Sequence, residues 1–195
     1  MKAAIKLSAH LRTFPQSHIA LVATASGIMD GMGDQPQDET GRDRDDDGRA
    51  RNARPRDRFG RPLPFGSPGV PRIPDDLHLT PEETLDFAQR LLDEGLAFNA
   101  HEVLEAAWKN GPFAERMLWQ GLAQYAVGLT HIQRGNSKGA RTLLERAAHR
   151  LTAFGPPPYG IDATGLIARA HTLLTALDRE TPLSEADLST QLRSH

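Results

Sequence analysis

Five successive segments between Thr80 and Leu177 repeat apolar residues at three- and four-residue spacing, each bracketed by residues that start or stop helices. That pattern constrains the chain more than anything else in it. Thr80-Pro81-Glu82-Glu83 puts Thr at the N-cap, Pro at the first helical position and Glu at the third, a capping box. Leu85, Ala88, Leu91 and Leu92 then keep helical spacing until Gly95. In the second segment Asn99 is expected to cap, with Glu102 closing a second capping box, and Gly111-Pro112 to stop the helix. The third runs from Pro112 to Gln133 on Met117, Leu118, Leu122, Tyr125, Leu129 and Ile132, with Gly121 and Gly128 on one face where a neighbour can approach. The fourth starts at Asn136 or Ser137 and carries Ala140, Leu143, Leu144, Ala147 and Leu151 before Gly155-Pro156-Pro157-Pro158. Asp162 caps the fifth, with Leu166, Ala170, Leu173, Leu174 and Leu177.

No window from 78 to 180 alternates apolar and polar residues over the length of a strand, so the fold class is all-α. Short links such as Arg134-Gly135-Asn136 make neighbouring helices antiparallel, which predicts a small up-and-down bundle of about five helices over residues 78–180. In the tail, 181–195, Leu183-Ser184-Glu185-Ala186-Asp187 can begin one more short helix.

The first 77 residues read differently. From Asp30 to Asp47 there are eight acids against two arginines, and from Arg49 to Arg61 six arginines against one aspartate, with no apolar period in either block. Such a stretch buries too little apolar surface to offset its ordering entropy, so a mostly disordered extension is expected. Prolines 62, 64, 68, 71 and 74 then suggest an extended strap leading into the bundle. The arginines Arg49, Arg51, Arg54, Arg56, Arg58 and Arg61 are read first as a solvated mixed-charge tail. A nucleic-acid arm is the alternative, weakened by the scarcity of interleaved aromatics and a net charge of −2. The longest apolar stretch, Ile19 to Ala25, is far short of the ~20 residues of a membrane span, so no membrane is expected as partner. A secretory leader there is disfavoured by Gln16, Ser17 and His18, and translation from Met29 or Met32 is the plainer account of residues 1–28. The absence of cysteine excludes disulfides and thiolate metal sites and fits a reducing, cytoplasmic setting.

Chemistry concentrates on the second helix. His101, Glu105 and Trp108 fall at i, i+4 and i+7, sharing a stripe with Leu104. A carboxylate on such a stripe needs a partner, and a histidine one turn away can supply the proton. If the helix turns back at Gly111, His101 lies level with Gly121 to Gln124, so Gln120 and Gln124 would face the same spot. His101, Glu105, Gln120 and Gln124, roofed by Trp108, are therefore the candidate small-ligand or metal site, with Glu102 in support as a helix-start residue. A divalent metal on His101 and Glu105 is the cofactor such donors would take, with hydrolysis as the enzymatic version. The donor set is short of the usual three protein ligands of catalytic zinc, and His-Glu-x-x-Glu lacks the second imidazole of the zinc-protease motif. On this arithmetic His131 lies about 12 Å farther along its helix and stays outside the site. The competing reading is a non-enzymatic structural or interaction module in which His101 and Glu105 form a buried pair. His149 and His171 read as surface or core-edge residues.

Phe98-Asn99-Ala100-His101-Glu102-Val103-Leu104-Glu105-Ala106-Ala107-Trp108, followed by Trp119-Gln120-Gly121-Leu122-Ala123-Gln124-Tyr125 and the Arg134-Gly135-Asn136 turn, resembles the DUF309 family, a domain of unknown function. The resemblance covers about residues 84 to 155. It implies a small helical bundle in which His101, Glu105 and Trp108 match characteristic positions, and it implies no reaction.

Overall fold

A computed structural model of the chain describes residues 54–74 and 76–194, all within one compact unit, Asn52–His195. The amino-terminal expectations, namely the leader, the starts at Met29 or Met32, the acidic block and Arg49 and Arg51, lie outside these residues. Five helices follow one another: α1 (Pro81–Asp93), α2 (Ala97–Asn110), α3 (Arg116–Gln133), α4 (Ser137–Phe154) and α5 (Ala163–Asp178). No strand forms among the described residues, where isolated bridges join Arg56 to Pro62 and Ile161 to Arg193. No helix among them is long and apolar enough to cross a membrane.

The capping box at α1 forms as read: Glu83 N donates to Thr80 Oγ1 at 3.2 Å, and Thr80 N donates to Glu83 Oε2 at 2.9 Å. Two corners share one device. Gly95 (φ 72°) and Gly135 (φ 71°) enter the left-handed region, so Leu96 N bonds back to Leu91 O and Asn136 N to His131 O. The chain then starts the next helix at once, and Asn136 caps α4 by accepting from Gly139 N at 2.9 Å. Asp162 does the same for α5 through Gly165 N.

The start of α2 differs from expectation. The helix begins at Ala97, three residues early, with Leu96 at the N-cap and no side-chain cap. Asn99 is therefore inside the helix and buried, and Glu102 sits in its second turn, too far in to close a capping box. The tight glycine corner places Leu96 in the cap position, and Asn99 is free to bond elsewhere. A three-residue 3₁₀ turn, Phe113–Glu115, precedes α3, and Met117 at its start is 44% exposed instead of packing inward.

Each helix packs on the next in the antiparallel order expected, with α3 between α2 and α4. Leu85, Leu104, Leu118, Leu122, Leu144 and Leu166 are among the fully buried side chains, and each contributes about 1.5–3 kcal/mol by leaving water. Gly128 makes the α3–α4 approach possible, since a Cβ there would stand 2.8 Å from Leu144 Cγ and Cδ2.

Two irregular segments complete the core. Residues 54–74 of the lead-in, expected to belong to a mostly disordered extension, are held to the bundle. Asp57 Oδ1 accepts from Phe59 N at 2.9 Å and Arg61 N at 2.8 Å, and Asn99 Nδ2 donates to Pro71 O at 3.1 Å. The short helix expected near Leu183 is a 3₁₀ turn at Ala186–Leu188, and the tail beyond it is docked. Gln89 holds it from both sides, donating to Thr190 O at 2.9 Å and accepting from Leu192 N at 2.8 Å, while Leu192 is buried.

Candidate functional site

His101 projects from the first half of α2 with its side chain 18% exposed. Its Nδ1 lies 2.5 Å from Phe98 O one turn back. A carbonyl can only accept, so Nδ1 carries the hydrogen and Nε2 presents its lone pair. Nε2 is 3.7 Å from Glu105 Oε2, which joins the two only when the ring is protonated. Burial holds the imidazole below its ordinary 6.5, assisted by Arg134 and Lys109 and opposed by the Phe98 bond and Glu105. The proton expected to serve Glu105 is therefore given to the backbone, and Glu105 pairs instead with Lys109 Nζ at 3.1 Å.

The ring against His101 is that of Phe98, with centroids 4.9 Å apart, and Trp108 packs against the apolar core. Phe98 is itself enclosed by the strap and the α3–α4 corner. The Arg56 and Arg134 guanidiniums lie 5.2 and 5.6 Å from its centroid, contacts worth about 0.5–2 kcal/mol each. Gly60 (φ 75°) completes the enclosure, for a Cβ there would fall 2.2 Å from the ring. Arg134 Nε also donates to Phe59 O at 2.7 Å, and Arg56 Nη1 to Gly60 O at 2.5 Å. The remaining described arginines of the block are engaged too: Arg54 over Phe65, Arg58 with Glu185 at 3.2 Å, and Arg61 over Phe59.

The two glutamines of α3 do not join His101. Gln120 Oε1 accepts from Arg150 Nε of α4 at 2.9 Å, and Gln124 Oε1 is buried without a hydrogen bond. Helix register explains this for Gln120. Gln133 Nε2 donates to Gly95 O at 2.9 Å, which pins the end of α3 beside the start of α2. Counting from that bond at about 1.5 Å per residue sets His101 level with Val127 and Glu105 level with Ala123. Gln120 is then about 10 Å from His101 along the axis. The 3₁₀ turn at Phe113–Glu115 adds the residues that a corner at Gly111 left out. The same register brings His131 to within about 6 Å of His101's level. Its ring turns the other way, with Nδ1 accepting from Asn136 Nδ2 at 3.0 Å and packing where Gly139 leaves room.

His101 and Glu105 are thus neighbours, and Gln120 is drawn to Arg150 instead of to them. Among the described residues no group of three His, Cys, Asp or Glu side chains is placed to hold a metal ion. His149 and His171 are exposed, as read. Phe98 and Arg134 escaped notice as partners of His101, although both stand in the residues that carry the family resemblance. Phe98 is three residues before His101 and so one turn away, a signal that was legible. Arg134 needed the α3 register.

The fold and this face define a class, a small all-α bundle whose second helix is clasped by an arginine-bearing strap. In family terms, residues 85–143 match the family described as domain of unknown function DUF309, and the resemblance carried by the His101-to-Trp108 element is borne out. The chain is also similar to the uncharacterized protein YpuF of Bacillus subtilis (strain 168), 40% identical over 57 residues, 29% of this chain and 33% of that protein. The chain therefore spans about a third of the length of the curated relative it matches. No solved structure matches.

Proposed function

We propose that this chain is a non-enzymatic helical interaction module in which His101 and Glu105 belong to the packing of α2 and not to a reaction. The observation that carries this reading is the Glu105 carboxylate, which stands 3.7 Å from His101 Nε2 and is itself paired with Lys109 Nζ at 3.1 Å. A general base or metal ligand has to reach outward with a free lone pair or a dischargeable proton. Here Nε2 is turned toward Glu105 and Glu105 toward Lys109, so the pair closes on itself. The Phe98 ring beside it supports the same reading, since it is wedged between two guanidiniums and the Gly60 turn.

The test is chemical unfolding of His101→Ala, Glu105→Ala and the double variant at neutral pH. His101→Ala is expected to cost about 1–3 kcal/mol, because it removes the ring's bond to Phe98 O and leaves a gap beside the Phe98 ring. Glu105→Ala removes a half-exposed carboxylate and is expected to cost less than about 1 kcal/mol. Unchanged stability of both variants overturns the reading. So does a rise in melting temperature with a divalent ion that both variants abolish, which would assign the pair to metal binding.

A further inference from the structure

The corner where α2 gives way to α3 holds a groove whose lining does not include His101. Its cavity is about 230 Å³, walled by Leu77, Pro81, Val103, Ala107 and Pro112, with the Glu115 carboxylate as the charged group in the lining. The other polar side chains in the lining are His78, Thr84, Trp119 and Asn110, whose Nδ2 donates to Leu77 O at 3.4 Å.

Glu115 is held in place on both oxygens. Trp119 Nε1 donates to Oε2 at 2.9 Å and the Tyr159 hydroxyl donates to Oε1 at 2.6 Å. Both donors are neutral, so the carboxylate is oriented without its charge being balanced, and no cation pairs with it among the described residues. Each oxygen keeps a second lone-pair direction for another donor. The holding is stiff. Trp119 is 2% exposed and stacks on Tyr159 with centroids 6.2 Å apart. Tyr159 itself sits at φ 64°, a left-handed conformation rare for an aromatic residue, and that conformation delivers its hydroxyl to Glu115. The field at this end is negative. The Tyr159 phenol is pushed above its usual value first by its bond to Glu115, then by burial and by the charges of Glu115 and Glu82.

An apolar cleft with one fixed, unneutralised carboxylate is complementary to a ligand with an apolar body and one cationic head. The volume falls below the roughly 300–1,000 Å³ of drug-sized pockets, which restricts the body to about one ring or a short chain. We propose that this groove binds a small organic ammonium ion, its head on Glu115 and its body against Val103, Ala107 and Pro112. The inference deepens the reading of the chain as a binding module and rests on it for the absence of turnover.

The probe is 2-phenylethylammonium, titrated into the full chain by calorimetry, with 2-phenylethanol as the uncharged match. Saturable one-to-one binding of the amine is expected, with the alcohol weaker by about tenfold to a hundredfold, as for loss of a charged hydrogen bond. Glu115→Gln should weaken the amine by a similar factor while leaving the alcohol unchanged. Ala106→Trp, which fills the groove without touching the carboxylate, should abolish both, and circular dichroism checks that each variant is folded. No saturable binding at millimolar amine overturns the proposal, as does equal binding of amine and alcohol or amine binding indifferent to both variants. Those outcomes leave the His101 unfolding experiment untouched. Consumption of the bound amine would instead overturn the non-enzymatic reading and leave the groove standing.

Discussion

His101 shows how one hydrogen bond redirects a residue's role. Its ring is neutral in the fold because burial lowers its affinity for a proton, whereas the unfolded chain binds that proton near the ordinary value of 6.5. The unfolded state therefore holds more protons below that pH, and the stabilisation, complete above it, is lost as pH falls from 6.5 through the folded value. His131, also lowered by burial, adds in the same direction. Urea unfolding between neutral and mildly acidic pH should show stability declining on the acid side, with a smaller decline in His101→Gln. Equal slopes in the two proteins would assign the effect to His131 or the surface. Asn99 is the second residue whose role moved, from helix cap to anchor for the strap. Asn99→Ala should cost about 1 kcal/mol, the net worth of its bond to Pro71 O. It should also speed amide exchange at Val70, whose N–H is bonded to Arg56 O within the strap.

Among the elements, α3 is the one that every other part uses. It packs on α2 with one side and on α4 with the other, and its length sets the register that separates Gln120 from His101. Gly128→Ala gains about 1 kcal/mol of helix propensity but drives a methyl group into the buried Leu144 side chain. A net loss of about 1–2 kcal/mol is expected from thermal or denaturant unfolding, and a stabilised variant would mean that α4 shifts freely. The tail is the other structural element with consequences beyond its size. Leu192 is 1% exposed, so Leu192→Ala should cost about 2–5 kcal/mol, more than any exposed leucine could. Most of the helical architecture was legible beforehand: the capping box at Thr80, the caps at Asn136 and Asp162 and the stop at Gly155 all depend on contacts within a few residues. The start of α2 was not, because Asn99 satisfies every local rule for a cap and is overruled by the Gly95 corner, which makes Leu96 the cap.

At the scale of the whole molecule, the five helices are incomplete without the segments that flank them. The strap covers Phe98 and Asn99, and the tail covers Tyr125 through Thr190 Oγ1 at 3.1 Å. A chain trimmed to residues 78–180, the domain as sequence delimits it, should therefore melt well below residues 54–194 and should expose Phe98 to solvent. Equal melting temperatures would show that the strap and tail are ornaments to a self-sufficient bundle. By itself the sequence determined the fold class, the five helices, their antiparallel order and the family resemblance, since these follow from periodicity and turn chemistry within one helix or one link. Only the tertiary structure decided which side chains meet. Whether Gln120 faces His101 or Arg150, and whether Glu115 is a surface acid or the fixed anion of a groove, depends on helix register and on residues far away in the chain. A shift of one helical turn, about 5.4 Å, exchanges one set of partners for another without altering a single local rule.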